Sequence, residues 1–178
     1  MKSQQSNATL SRFFTGISEQ VFQAQLGVAD PCLTDYLSDL LMRFVRCETQ
    51  DKIRNKRGKP ARYVFEMLRE ADKRIGEARR EVHRHIGDFT LFWAGLYPES
   101  LRKRQGRVRV DQFEDYCAHG KHAYLVASGI EGRDVAPAND VLERLGHQFE
   151  MCAYGLREVR REWERRDADE SAQPSLWN

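Results

Sequence analysis

Apolar residues recur along this chain at three- and four-residue spacing, in runs broken by polar stretches. That is the pattern of amphipathic helices packed into a bundle. The clearest run lies near the C-terminus, where Leu142, Leu145, Phe149, Cys152, Leu156, Val159 and Trp163 alternate the two spacings without interruption. Such a seam over three heptads predicts one long helix over about 138–166. The most apolar and most aromatic stretch is 82–98. On a helical wheel Val82, Ile86, Phe89, Trp93 and Leu96 gather on one side, with Phe92 at its flank, and Glu77, Glu81, Arg84 and Asp88 lie opposite. Past Gly87 the polar side gives out, because Leu91 and Gly95 occupy it. A helix apolar nearly all round is a buried helix. A helix over about 76–97, ended by Pro98, is therefore expected to be the one around which the others pack.

The remaining elements follow from start and stop signals. A short helix is predicted over 18–26, with Val21, Phe22 and Leu26 inward and Gly27 as its stop. Asp30-Pro31 places an N-cap before proline at the first helical position. Leu33, Tyr36, Leu37, Leu40, Leu41, Phe44 and Val45 then give an inner face to about Arg46. Pro60 opens a further helix with Met67, Leu68, Ala71 and either Tyr63 or Val64 inward. Asp111 is expected to cap a helix that carries Phe113, Tyr116, Cys117, Gly120, Tyr124 and Ala127 on one face. Polar connectors separate these helices. One, over 48–59, has turn chemistry at 52–59 that suits a small ribbon. Another, over 102–110, contains Arg107-Val108-Arg109-Val110, which alternates like a strand but is too short to anchor a sheet. The expected fold is an all-α, single-domain bundle of five or six helices over 17–166. A flexible start over 1–16 and a disordered acidic tail over 167–178 flank it. Gly87, Gly95, Gly120, Gly146 and Gly155 fall inside these helices, each at about 1 kcal/mol relative to alanine. Such positions need space, and close helix crossings are the expected use.

Composition narrows the class. A chain of 178 residues buries roughly 70% of its unfolded surface, enough for a core without covalent staples. No apolar run approaches the length of a transmembrane helix, and residues 1–7 lack the apolar core of a secretion signal. The four cysteines, Cys32, Cys47, Cys117 and Cys152, are scattered, which reads as reduced thiols in a cytoplasm. The segments Glu81-Val82-His83-Arg84-His85-Ile86-Gly87-Asp88-Phe89-Thr90-Leu91-Phe92-Trp93 and Glu150-Met151-Cys152-Ala153-Tyr154-Gly155-Leu156-Arg157-Glu158-Val159-Arg160 resemble a group of uncharacterised bacterial all-α proteins, over about 25–166. The resemblance implies a bacterial source and carries no activity with it.

Candidate chemistry is sparse. His85 falls in the apolar sector near Phe89 and Phe92, whereas His83 lies beside Thr90, Ala94 and Gly87. The two point apart, and a helical metal site needs i, i+4 spacing. A pair of partly buried, hydrogen-bonded histidines is the plain reading; a pocket built from His83 or His85 with Asp88 or Thr90 is the functional one. Cys117, His119 and His122 share no zinc geometry. Phosphate loops, nucleotide fingerprints and nucleophile elbows are lacking. No catalytic residue, metal or cofactor is therefore assigned. Two basic clusters remain: Lys52, Arg54, Lys56, Arg57, Lys59 and Arg62, and Arg102, Lys103, Arg104, Arg107 and Arg109. If they meet at one end of the bundle they make a phosphate-binding surface; otherwise they are solvated loops. They carry no aromatic interleaving and match no named nucleic-acid reader. Net charge is only +2, and arginine outnumbers lysine 22 to 7, through either a GC-rich genome or selection for phosphate or carboxylate recognition. The leading expectation is a cytoplasmic, non-enzymatic helical interaction module that meets a protein partner or a second copy of itself. Nucleic-acid binding through the basic loops is the alternative, followed by a small enzyme or ligand binder at His83/His85. No membrane association is expected.

Overall fold

A computed structural model describes residues 2–45, 53, 63–105, 108–131 and 136–172. The first helix, α1 (Lys2–Glu19), begins where the polar composition predicts a flexible start, and it runs directly into a π-helical turn over Gln20–Gln25. The helix expected over 18–26 is thus the end of a longer one. Phe14, Ile17, Val21 and Phe22 are its buried anchors, and Gly27, at φ +68, ends it in the left-handed conformation that glycine adopts without strain. Helix α2 (Pro31–Val45) starts as expected: Asp30 Oδ1 accepts the backbone N–H of Leu33 at 3.0 Å. Helix α3 (Val64–Ala71) is capped by Glu66, which accepts the Tyr63 backbone N–H at 3.4 Å. Val64, Met67 and Ala71 face the core while Tyr63 stays exposed.

Helix α4 (Gly76–Leu96) is the predicted central helix, and it packs against α2, α3, α5 (Phe113–Ser128) and α7 (Phe149–Ala172). A 3-10 turn over Pro98–Leu101 follows it. The chain then forms an antiparallel ribbon of β1 (Arg102–Gln105) and β2 (Val108–Asp111), with Arg102 registered on Asp111. Asp111 closes that ribbon instead of capping a helix; Gln112 occupies the N-cap position of α5. The ribbon predicted over 52–59 lies outside the described residues, apart from Ile53.

The long C-terminal helix is divided. Helix α6 (Asn139–His147) ends at Gln148, whose φ −109 and ψ 26 leave the helical region, and α7 resumes at Phe149 and continues to Ala172, beyond the expected end near 166. The apolar seam nevertheless stays continuous, for Leu142, Leu145, Phe149, Cys152, Leu156 and Val159 are all fully buried. The two halves serve different partners. α6 lies on α5, where a Cβ on Gly146 would come within 2.8 Å of Leu125; α7 lies on α4, where Gly95 would meet Leu156 at 2.7 Å. The glycines inside the helices thus mark close crossings, as their cost required. Among the described residues, no helix is long and apolar enough to cross a membrane.

Phe149 fills the junction of α5 and α7, 6.2 Å from the Tyr124 ring centroid and against Gly120. Phe149→Ala should therefore lower stability by about 3–5 kcal/mol, measured by urea unfolding. A loss below about 1 kcal/mol would remove the C-terminal seam from the core.

Candidate functional site

On α4 the residues Arg80, Glu81, Arg84 and Asp88 fall on one stripe at three- and four-residue spacing. The wheel turns this stripe toward solvent. In the fold, α2 and α5 close over it, and Asp88 is left 1% exposed. Three donors meet its carboxylate. Tyr36, from α2, donates its hydroxyl to Oδ1 at 2.5 Å; Tyr124, from α5, donates to the same oxygen at 2.8 Å; Arg43 Nη1, from α2, donates to Oδ2 at 2.7 Å. Tyr124 reaches its place because the preceding residue is Gly87. A Cβ there would stand 2.6 Å from the tyrosine ring.

The electrostatics of this cluster hold its protons in place. Burial pushes the Asp88 carboxyl up, but Arg43, Arg84 and the two phenol donors outweigh it and hold the group below the usual carboxylate range. Burial and the Asp88 charge both push Tyr36 and Tyr124 well above the ordinary phenol value. Asp88 is thus ionised and the tyrosines are donors across the physiological range.

The cluster opens onto a cavity of about 420 Å³ between α1, α2, α4 and the segment before α6, lined by Tyr36, Asp39, Met42, Arg43, Arg84 and Pro137 among others. Arg43 is fixed at its edge three ways: through Asp88, by its guanidinium carbon 5.3 Å from the Tyr36 ring centroid, and by Nε on the Asp39 carbonyl at 3.3 Å. Behind the opposite wall lies Arg80, whose side chain is 1% exposed. Its Nη2 donates to the Pro137 carbonyl at 2.5 Å and to Asn139 Oδ1 at 2.9 Å, and its Nε donates to the same Asn139 oxygen at 3.2 Å. These bonds hold Pro137 in the cavity wall.

Of the residues expected in a pocket, His83, His85, Asp88 and Thr90, only Asp88 joins this cluster, and none of the four lines the cavity. His85 is buried beside Phe44, ring centroids 6.3 Å apart and nearly parallel, and Phe89, at 6.5 Å. Thr90 donates its hydroxyl to the Ile86 and Gly87 carbonyls of its own helix at 2.8 and 3.0 Å. His83 is buried on another side of α4, near Asp72, Arg79 and His122. Neither of its ring nitrogens has a hydrogen-bond partner among the described residues, so the hydrogen-bonded pair expected on the plain reading fails at His83. Burial first, then the charges of Arg79 and His122, lower its pKa.

Of the basic clusters, Lys52, Arg54, Lys56, Arg57, Lys59, Arg62 and Arg107 lie outside the described residues. Arg102, Lys103, Arg104 and Arg109 belong to the β1–β2 ribbon, where Arg104 is registered on Arg109. Burial pushes the Cys117 thiol up to about 11 and the Cys152 thiol up to about 12, far from the nucleophilic thiolate. Among the described residues no three His, Cys, Asp or Glu side chains are placed to hold a metal ion.

Tyr36, Arg43 and Tyr124 were not legible as site residues. Tyr36 and Tyr124 occupy inward positions of apolar faces and read as core. The available signal was their hydroxyls, which need partners once buried, together with a carboxylate in the middle of a buried helix. Compared with protein-family models, with curated proteins and with solved structures, the chain matches none.

Asp88→Asn keeps the shape but leaves Arg43 and Arg84 without their shared counter-charge. It should cost about 3 kcal/mol at pH 7, by urea unfolding. Because the Asp88 pKa is lower folded than unfolded, its contribution is complete above about pH 4 and is lost as pH falls through the folded value. The variant should lack that part of the acid limb. His83 gives a separate window. Its lowered pKa means that the unfolded chain binds the proton more readily. Stability is then full above about pH 6.5 and declines as pH falls from there toward the folded pKa. His83→Gln should flatten the decline between pH 7.5 and 5.5; an unchanged slope would show that the decline arises elsewhere.

Proposed function

We propose that this chain is a cytoplasmic helical binding module without chemistry of its own, and that its binding element is the cavity beside the Asp88 cluster. The observation that carries this reading is preorganisation. Arg43 is held at the cavity edge by a buried carboxylate, a tyrosine face and a backbone carbonyl, so ligand binding need not order it. The cavity volume falls in the ordinary range of about 300–1,000 Å³ for ligand pockets, and its lining mixes apolar surface with a few placed polar groups, the usual composition. Met42 and Pro137 supply the first, and Arg43, Arg84 and Asp39 the second.

Binding is favoured over catalysis by the charge states. A general acid or base works best with a pKa near the working pH. Here Asp88 is pushed down and Tyr36 is pushed up. The free thiols of Cys32, Cys117 and Cys152 suit a reducing compartment.

Ser11 stands exposed at the cavity rim, so Ser11→Trp should fill the opening with little effect on stability, within about 0.5 kcal/mol for a surface change. A fragment library screened by NMR on methionine-labelled protein should yield compounds that shift the Met42 methyl signal. Ser11→Trp should abolish those shifts. Should no compound move Met42 in the wild type, the binding reading fails.

A further inference from the structure

We propose that the β1–β2 ribbon is a docking element for duplex DNA, entering the major groove and held there by the phosphate backbone. The ribbon shares no residue with the cavity, and the proposal does not rest on the reading above. Of the eight ribbon positions, Arg102, Lys103, Arg104 and Arg109 are basic and Asp111 alone is acidic. Four bases against one acid exceed the net charge of the whole chain, which is +2. Register concentrates that charge. Residues paired on an antiparallel ladder share a face, and successive residues alternate between faces. Arg102 with Asp111 and Arg104 with Arg109 therefore fall on one face, and Lys103 with Val110 and Gln105 with Val108 on the other. The acid stands at the base of the ribbon and the arginine pair nearer its turn. Like charges directly opposite weaken a strand pair, and an isolated two-stranded ribbon is already marginal in water. Arg104 across from Arg109 thus destabilises the free ribbon, and a polyanion laid across the pair reverses the sign.

Shape selects the polyanion. The two strands pack on each other, and β1 packs on the 3-10 turn before it. The bundle holds the base, where Leu101 is buried and the Gln112 backbone N–H donates to the Leu101 carbonyl at 3.1 Å. Beyond that rung the paired strands extend about 13 Å. Duplex DNA carries one negative charge per about 1.7 Å of axis, and its major groove, about 12 Å wide, admits a two-stranded ribbon. The major groove of duplex RNA is too deep and narrow for one. Arginine suits phosphate, which it engages through two parallel N–H bonds. The eight positions hold no aromatic residue, the usual anchor at a membrane interface, which disfavours an anionic lipid surface. Near the base, Glu99 is taken up by Arg160 at 2.6 Å, while Glu114 and Asp115 stand exposed in the first turn of α5. Their charge leaves the arginine pair, farther out, as the seat for phosphate. Phosphate contacts carry no sequence information, so the binding is indifferent to sequence.

Fluorescence anisotropy of a labelled DNA duplex of about 20 base pairs, titrated with the full chain between about 50 and about 200 mM salt, tests this. Affinity should be micromolar at the low-salt end and equal for unrelated sequences, and log K should fall against log salt with a slope of about −3. Arg104→Gln with Arg109→Gln should weaken binding at least about tenfold and reduce that slope by about 2, with the far-UV spectrum unchanged. Arg12→Gln with Arg69→Gln removes the same charge from exposed positions on α1 and α3 and should change affinity less than about threefold. Arg104→Lys with Arg109→Lys keeps the charge and should also stay within about threefold, which keeps the test decisive if the Gln pair disturbs the ribbon. An unchanged anisotropy at about 50 mM salt would overturn the proposal. An equal loss in the Arg12 and Arg69 variant would trace binding to net charge and remove the ribbon from it. A loss with the Lys pair as deep as with the Gln pair would overturn its electrostatic basis. Duplex RNA bound as tightly as DNA, or phosphatidylserine vesicles that displace the DNA at equal charge, would overturn the choice of partner.

Discussion

A carboxylate inside a helical bundle has to be met by donors from other helices, because the backbone N–H groups of its own helix are already committed to the turn before. Asp88 imposes that condition on this fold. Tyr36 and Arg43 answer it from α2 and Tyr124 from α5, so one buried side chain sets the relative register of three helices. Apolar packing alone tolerates small slides and rotations. A hydrogen-bonded cluster with fixed donor directions tolerates them much less. The cluster costs desolvation, and its return is a unique arrangement of the helices around α4.

The cluster depends in turn on how closely the helices approach. Gly87 lets the Tyr124 ring lie against the α4 backbone, and Gly120 gives Phe149 and Thr90 the same access to α5. A methyl group at either position would move α5 away from α4, and the Tyr124 hydroxyl with it. The polar centre and the crossings around it therefore form one construction. The apolar seam along α6 and α7 closes the bundle on the far side and supplies much of the burial that offsets the polar cost.

The same constraint prepares the cavity. Arg43 is drawn inward by Asp88 and so stands at the cavity edge in a single pose. Arg80 grips Pro137 and Asn139 and fixes the opposite wall. What remains between them is a space whose polar groups are already placed. The arginines around the cluster answer different carboxylates: Arg43, from α2, is bound to Asp88, while Arg84, on α4 itself, is bound to Glu81.

The sequence by itself determined the all-α class, the central position of α4, the start of α2 at Asp30-Pro31, the inward seam from Leu142 to Val159 and the use of glycines for close crossings. Each of these rests on local periodicity or capping, which acts within a turn or two of chain. Only the tertiary structure decided that Asp88 and Arg80, placed by the wheel on or near the polar side, are buried, because burial depends on which neighbours cover a face. It also decided that Tyr36, Tyr124 and Arg43, far apart in the chain, converge on one carboxylate, and that His83, His85 and Thr90 do not. The break at Gln148 is of the same kind: the seam runs through it unchanged, and the helix axis changes only because its two halves pack on different helices.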